Sequence, residues 1–543
     1  MKKRNFLFPI LAATTMINVA GAADAPAAVE LQPVPAMTKA EIDQAKGIYF
    51  NRCGGCHGTL RKGATGKPLT PDKTRTKTID ALADIIFNGT TAGMPGWGTT
   101  GVLSKEDSTL MARFIQNEPV APPEFNMKDM QETWKLHVPP DQRPTKPMHK
   151  HNIENLFAVI LRDAGKIAII DGDTKQLWTT INSGFAVHTL RYSHSGRYLY
   201  TIGRDAKATM VDLWMDPPQT VAEVKTGIEA RSIDSSKYKG PKGDFLDKLA
   251  VVGNYWPPSY VILDGQTLEP KKVVSTRGYT YDTNEYHPEP RVASIVAAVH
   301  DPEWILNVKE TGQVLLVDYS DIKNLKVTTI EAERFLHDGG WDSTKRYFLV
   351  AANMRDKMVV IDTKTKKLAA IVETGSKPHP GRGANFVDPK FGPVYASTHL
   401  GEPLVALIGT DPAKHKANAW KVVRKLKPAG EGGLFLKTHP KSNHLWVDHA
   451  LAKNEENYRS VSVFDIKNLD AAPKIIKVGD RGRITHMEYN KAGDEVWVSV
   501  WDRKGEIVIY DDKTMTEKAR ISDPALVTPT GKFNVYNTRH DIY

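Results

Sequence analysis

The sequence predicts a small all-α domain followed by an all-β eight-bladed propeller, and three observations carry that prediction. A hydrophobic run ending in Asp or an equivalent, then a turn, recurs eight times, at residues 167–171, 210–212, 261–264, 314–318, 358–362, 405–409, 461–465 and 507–511. The spacing is that of a propeller blade, roughly 40 to 50 residues. Before residue 119 the apolar residues instead recur at helical spacing, and a proline-rich stretch separates the two regions. With 543 residues, 41% apolar and 25% charged, the chain has globular composition, which excludes a disordered or fibrous protein.

The first element is a short apolar segment, residues 6–19, preceded by Lys2, Lys3 and Arg4 and followed by Ala20-Gly21-Ala22. This pattern predicts a cleaved export signal over 1–22. The run is short and interrupted by Pro9 and Asn18, which excludes a membrane anchor, so the mature chain is expected to be soluble and periplasmic. Free thiols usually pair in that compartment, yet the only cysteines are Cys53 and Cys56. The formal charge of +10 is spread along the chain rather than gathered into a basic tract, so nucleic acid is not an expected partner and a small anion is.

The helical region spans 23–118. Thr38 and Glu41 are placed as a capping box for a helix through Ala40, Ile42, Ala45 and Tyr49. Ile79, Leu82, Ile85 and Ile86 mark a second helix, and Leu110, Met111, Phe114 and Ile115 a third, capped by Ser104. Between the first two lies Cys53-Gly54-Gly55-Cys56-His57, the CxxCH pattern by which two thiols attach one haem and the histidine takes an axial place on its iron. A zinc knuckle would need further ligands, and a thioredoxin-type pair would need a βαβ context. The domain is therefore read as a c-type cytochrome holding one covalent haem c. Met94, in the Gly/Pro-rich loop 93–97, is the candidate for the second axial ligand.

Residues 119–152 carry seven prolines and read as a semi-rigid linker, leaving 153–543 to the propeller, with the segment 532–543 expected to close the ring. Chemistry in a propeller belongs to loops at one mouth of its channel. His188, His337 and His379 stand in Gly-containing loops, whereas His194, His287 and His439 read as ordinary residues. Arg162, Arg191, Arg204, Arg231 and Arg382 follow strand-like or Gly-containing phrases, and together with those histidines they suggest a site for a polyanionic macrocycle.

This combination resembles the cytochrome cd1 nitrite reductase family over essentially the whole mature length. The phrases that carry the resemblance, beyond CxxCH, are residues 60–69, residues 161–165, Gly227-Ile228-Glu229-Ala230-Arg231-Ser232, the His337 and His379 loops, and Thr530-Gly531-Lys532-Phe533-Asn534-Val535-Tyr536. The resemblance implies that His57 and Met94 ligate haem c, that the channel holds one non-covalent haem d1 with His188 as its proximal ligand, and that His337 and His379 are distal catalytic residues. Arg162, Arg191, Arg204, Arg231, Tyr255, Arg382, Thr530 and Gly531 match positions lining the d1 pocket. It further implies reduction of nitrite to nitric oxide, oxygen reduction as a side activity, a periplasmic cytochrome or cupredoxin as electron donor, and a homodimer. Some members place a tyrosine or histidine of an N-terminal arm on a haem; residues 23–45 contain neither, and the first mature tyrosine is Tyr49. The alternatives are the biosynthetic dehydrogenase of the same family, which completes haem d1, a quinoprotein dehydrogenase, and a non-catalytic electron carrier. The two distal histidine loops favour the reductase, and the use of both cysteines by haem removes the vicinal pair often found in quinoproteins.

Overall fold

The computed structural model describes residues 30–543 apart from 64–65, 91–93, 95 and 100; the expected export signal lies outside the described residues. The chain divides into two compact units, one formed by residues 69–118 with the described residues up to Thr38, the other by 39–68 with 119–543.

In the first unit the helix Ile79–Asn88 starts where Thr78 accepts the backbone N–H of Ala81 at 3.2 Å. The helix Lys105–Gln116 opens with a full capping box, Ser104 and Asp107 each accepting the other's backbone N–H. Both buried faces follow the spacing read from sequence, with Leu82 and Ile86 on one helix and Leu110, Met111, Phe114 and Ile115 on the other. Asn117 Nδ2 donates to Pro35 O at 3.0 Å, which ties the entering segment to this pair.

The second unit is built on eight four-stranded antiparallel blades. Their first strands are Pro529–Asn534, Thr189–Tyr192, Glu229–Ser235, Val292–Ala297, Leu336–Trp341, Ala384–Asp388, Leu436–Lys437 and Arg483–Tyr489, taken as blades 1 to 8. First strands of blades 2 to 5 contact one another in series, as do those of blades 7, 8 and 1, so they line the axis. Middle strands such as Leu156–Leu161 and Tyr347–Ala352 are buried along their whole length, whereas the outer strands Lys367–Glu373 and Thr516–Ile521 expose charged residues, which blunts each blade's free edge.

The phrase that recurs in the sequence is the third strand of every blade. In seven blades its closing Asp accepts a backbone N–H from the turn beyond, Asp171 from Asp173, Asp264 from Gln266 and Asp465 from Lys467 among them. Blade 6 has Gly409 at this place. The ring closes through the last strand: Pro529–Asn534 pairs with Leu156–Leu161, so closure begins three residues before the expected 532, and Asn534 then caps the helix Val535–Arg539.

The proline-rich stretch 119–152 does more than connect. It contains the helix Met127–Thr133, and Lys135–Leu136 adds a fifth strand to the outer edge of blade 2. Met130 is fully buried in the core shared by blades 2 and 3, and Trp134 Nε1 donates to Thr267 O at 2.8 Å. The physical cause is the apolar set Phe125, Met130, Trp134, Leu136 and Val138 between the prolines, which the propeller covers.

Five first strands carry an extra residue relative to their neighbour: at Arg231 in blade 3, Ala293 in blade 4, the His337-Asp338 pair in blade 5, His486 in blade 8 and the Thr530-Gly531 pair in blade 1. Such bulges break the alternation of faces and re-aim side chains. Three of the five fall at candidate site residues, Arg231, His337 and Thr530-Gly531.

Candidate functional site

Residues 39–68 begin with the helix Lys39–Ile48 and pass through a wider helical turn at Tyr49–Cys53 into Gly54–His57, which carries Cys56 three residues after Cys53. His57 Nδ1 donates to Lys67 O at 2.7 Å, which fixes the tautomer and leaves Nε2 as the lone-pair nitrogen a metal requires. The loop that supplies this carbonyl passes close over the ring: a Cβ on Gly66 would meet His57 at 2.9 Å, so the glycine is needed there. These residues fit a covalent haem. In the other unit, the Met94 N–H donates to Thr90 Oγ1 at 3.3 Å and Met94 O accepts from Thr90 N at 3.0 Å.

Of the propeller candidates, Arg231, His337 and Thr530-Gly531 sit on first-strand bulges, and the others lie on strands or turns around them. His188 immediately precedes the strand Thr189–Tyr192, with its backbone N–H on Ile202 O at 2.9 Å. Burial, then Arg231, Arg204 and Arg162, push its pKa well below the usual value. Arg231 is the hub: Nε donates to His188 Nε2 at 3.1 Å, and Nη1 donates to Tyr255 OH at 2.9 Å and to His337 Nε2 at 2.7 Å. His337 and His379 lie with ring centroids 5.0 Å apart, and Asp338 stands between them.

Around this core the charge is strongly positive. Arg204 is buried on Glu229, reaches the carbonyl of Gly55 in the CxxCH loop, and lies over the Tyr255 ring at 4.8 Å, with Arg291 over the same ring at 5.2 Å. Burial would push the Tyr255 hydroxyl up, but Arg231, Lys309, Arg204 and Arg291 together bring it down to about 8. Arg191 Nε and Arg382 Nη1 are buried without an acceptor among the described residues. Burial, and the proximity of Arg382, lower Arg191 to about 9. Lys532 is fully buried, its Nζ on His486 O, and burial lowers it to about 7 against the opposing effect of Glu488 and Asp448. Asp234 and Asp541 lie near both arginines, but the two unpaired nitrogens leave donors to spare, and a macrocycle bearing several carboxylates fits them.

Arg162 sits at the rim, paired with Asp163 at 2.8 Å and over Trp501. Thr530 O accepts from Ser499 Oγ at 2.7 Å, and Gly531 lies against Phe533 and Ile160. Of the histidines read as ordinary, His439 packs on Tyr489 and accepts the Lys441 N–H, and His287 accepts the Glu289 N–H. Sequence reasoning gave no role to Asp338, Glu229, Arg291, Lys309 or Lys532. Asp338 and Lys532 lie inside phrases singled out for other residues, and the bulges that turn them inward leave no periodic trace.

Comparison with known proteins gives a consistent answer. Residues 151–538 match the cytochrome D1 heme domain family, and residues 40–115 match the family of the cbb3-type cytochrome c oxidase subunit III. The chain is 53% identical to the nitrite reductase of Stutzerimonas stutzeri, over 95% of this chain and 96% of that one. It is 24% identical to the dihydro-heme d1 dehydrogenase of Pseudomonas aeruginosa, over 92% and 95%. The solved structure of dihydro-heme d1 dehydrogenase NirN in complex with DHE superposes with a TM-score of 0.72 at 23% identity, covering 91% of this chain and 99% of that one, a likeness of fold. A helical cytochrome domain ahead of eight blades, a cationic channel ringed by histidines, and these matches make the chain a member of the cytochrome cd1 nitrite reductase family.

Proposed function

We propose that this chain reduces nitrite to nitric oxide and water, taking one electron and two protons per nitrite. When bound, haem c and haem d1 supply the route for single electrons and the iron at which nitrite is reduced. The observation that carries the reading is the convergence of three histidines: His337 and His379 with ring centroids 5.0 Å apart, and His188 and His337 both on the Arg231 guanidinium. Cys53 and Cys56 would hold haem c, with His57 and Met94 as its ligands. His188 would hold the d1 iron, and Arg162, Arg191, Arg204, Arg231, Tyr255, Arg382, Thr530 and Gly531 would line its pocket. The arginines draw an anion inward, and the two imidazoles hydrogen-bond nitrite and deliver protons to the oxygen that leaves as water.

Export to the periplasm by cleavage after residue 22, a small cytochrome or cupredoxin as donor, a homodimer, and oxygen reduction as a side activity belong to the same proposal. Among the described residues no helix is long and apolar enough to cross a membrane. The test is anaerobic: nitrite is added to reduced holoprotein with excess donor, and nitric oxide is followed with an electrode. Sustained release is expected. A d1 absorption band with no nitric oxide would overturn the reading in favour of the biosynthetic dehydrogenase, with the dihydro precursor as the next substrate.

A further inference from the structure

The proposed reaction uses two protons per nitrite, and both candidate donors are buried histidines, His337 with the Arg231 guanidinium on its Nε2. At His337 the surroundings oppose protonation: burial, then Arg231, hold it well below the usual imidazole range. Asp338 is the one carboxylate set between the pair, and its placement is unusual for a strand.

His337 and Asp338 are consecutive in the strand Leu336–Trp341, so in a regular ladder their side chains would point to opposite faces. They do not. Leu336 pairs with Ala352 and Gly339 with Val350, so three steps on this strand oppose two on its neighbour, and the extra residue turns both side chains to the same side. The two glycines that follow make the turn possible: a Cβ on Gly339 would lie 2.1 Å from Leu349 O, and one on Gly340 2.0 Å from Arg382 O.

The hydrogen bonds are directional. Arg231 Nη1 donates to His337 Nε2, so the ring proton of His337 is on Nδ1, and Nδ1 donates to Asp338 Oδ1. His379 Nδ1 donates to Leu434 O at 3.0 Å and lies 3.7 Å from Asp338 Oδ2, which leaves Nε2 to exchange protons. One carboxylate thus faces both imidazoles, one oxygen to each. Its own acid form is suppressed: burial alone would raise its pKa, but His379 and His337 keep it well below the carboxylate range, so it stays an anion. The other groups facing this cluster are Arg231, the Tyr395 hydroxyl and, beyond His379, Asp448. The three side chains converge closely enough to suggest a cation site, but the Arg231 cation on His337 opposes a second positive charge there.

We infer that Asp338 is a positioning residue for the proposed reaction, an acceptor that fixes the His337 imidazole and an anion set beside both distal rings. This rests on the nitrite-reductase reading. The sign follows: an anion beside an imidazole favours its protonated form, so removing the charge moves the loss of that form to lower pH.

The experiment compares wild type, Asp338→Asn and Asp338→Glu as holoproteins. Haem c and d1 contents are measured first by absorption, then nitrite affinity of the oxidised protein and turnover between pH 5 and 9. Asp338→Asn is expected to keep both haems, to lose about 10- to 100-fold in kcat, and to show the alkaline limb of both profiles displaced to lower pH. Asp338→Glu, which keeps the charge, is expected to return the limb toward wild type. Unchanged pH profiles in an Asp338→Asn protein with full haem content would overturn the inference, as would a Glu variant displaced as far as Asn. If the Asn protein fails to fold, an Asp338→Glu limb shifted down by a full unit overturns it and a limb within half a unit of wild type supports it. Wild-type nitric oxide release, measured in parallel, keeps failure of the reaction assignment separate from failure of the Asp338 role.

Discussion

Arg191 and Arg382 hold guanidinium nitrogens that are buried without acceptors, a placement that destabilises a protein unless a ligand relieves it. Replacing either by Met removes a charge that d1 carboxylates would pair with. Each substitution is expected to weaken d1 binding by about 10- to 100-fold, read by titrating the cofactor into protein that lacks it, while haem c content is unchanged. Glu289 is a buried anion site of the opposite kind, with Oε1 unpartnered; burial, then Glu229 and Glu310 against the pull of Arg291, raise it from 4.5 to about 8. It is folded as the neutral acid, so its contribution to stability is complete below about pH 4.5 and is lost as pH rises to about 8. Glu289→Gln is expected to flatten that decline by about 1 to 3 kcal/mol, seen as melting temperatures that converge with wild type at pH 4 and exceed it at pH 9. Residues of this scale were legible where their chemistry is carried by local spacing. CxxCH names its own function, and the Gly-flanked histidines stand out as loops. Glu289 and Lys532 did not, because what distinguishes them is burial, which a strand's alternation predicts only as long as the strand is regular.

At the scale of elements, the bulge is the device that builds the site. Arg231, His337 with Asp338, and Thr530 with Gly531 all sit where a first strand gains one residue and the alternation of faces is broken. Gly340→Ala is expected to destabilise the protein by about 1 to 3 kcal/mol, measured by denaturant unfolding, because the new methyl must displace the Arg382 carbonyl. It is also expected to lower turnover more than His188 occupancy, since His337 and Arg382 are moved together. The helices of the first unit were readable to the residue at Ser104, where a side-chain cap marks the start. Bulges have no such mark, since one inserted residue leaves composition and period almost unaltered.

For the whole molecule, eight repeats in the sequence gave eight blades because the third strand of each blade ends at a turn whose side-chain acceptor is an Asp in all but one. The prolines of 119–152 mark a connection, and its intercalated apolar residues also pack it on blades 2 and 3. A ring of blades holds only if its last strand joins its first blade. Deleting residues 529–543 is therefore expected to abolish cooperative unfolding and soluble yield, checked by circular dichroism and expression level, because Leu156–Leu161 would lose its inner partner. The same seam ties the candidate pocket to closure. Thr530, Gly531 and Lys532 belong to the closing strand, so these residues take their places only as Pro529–Asn534 joins Leu156–Leu161. Completing the ring and completing that part of the pocket are therefore one event.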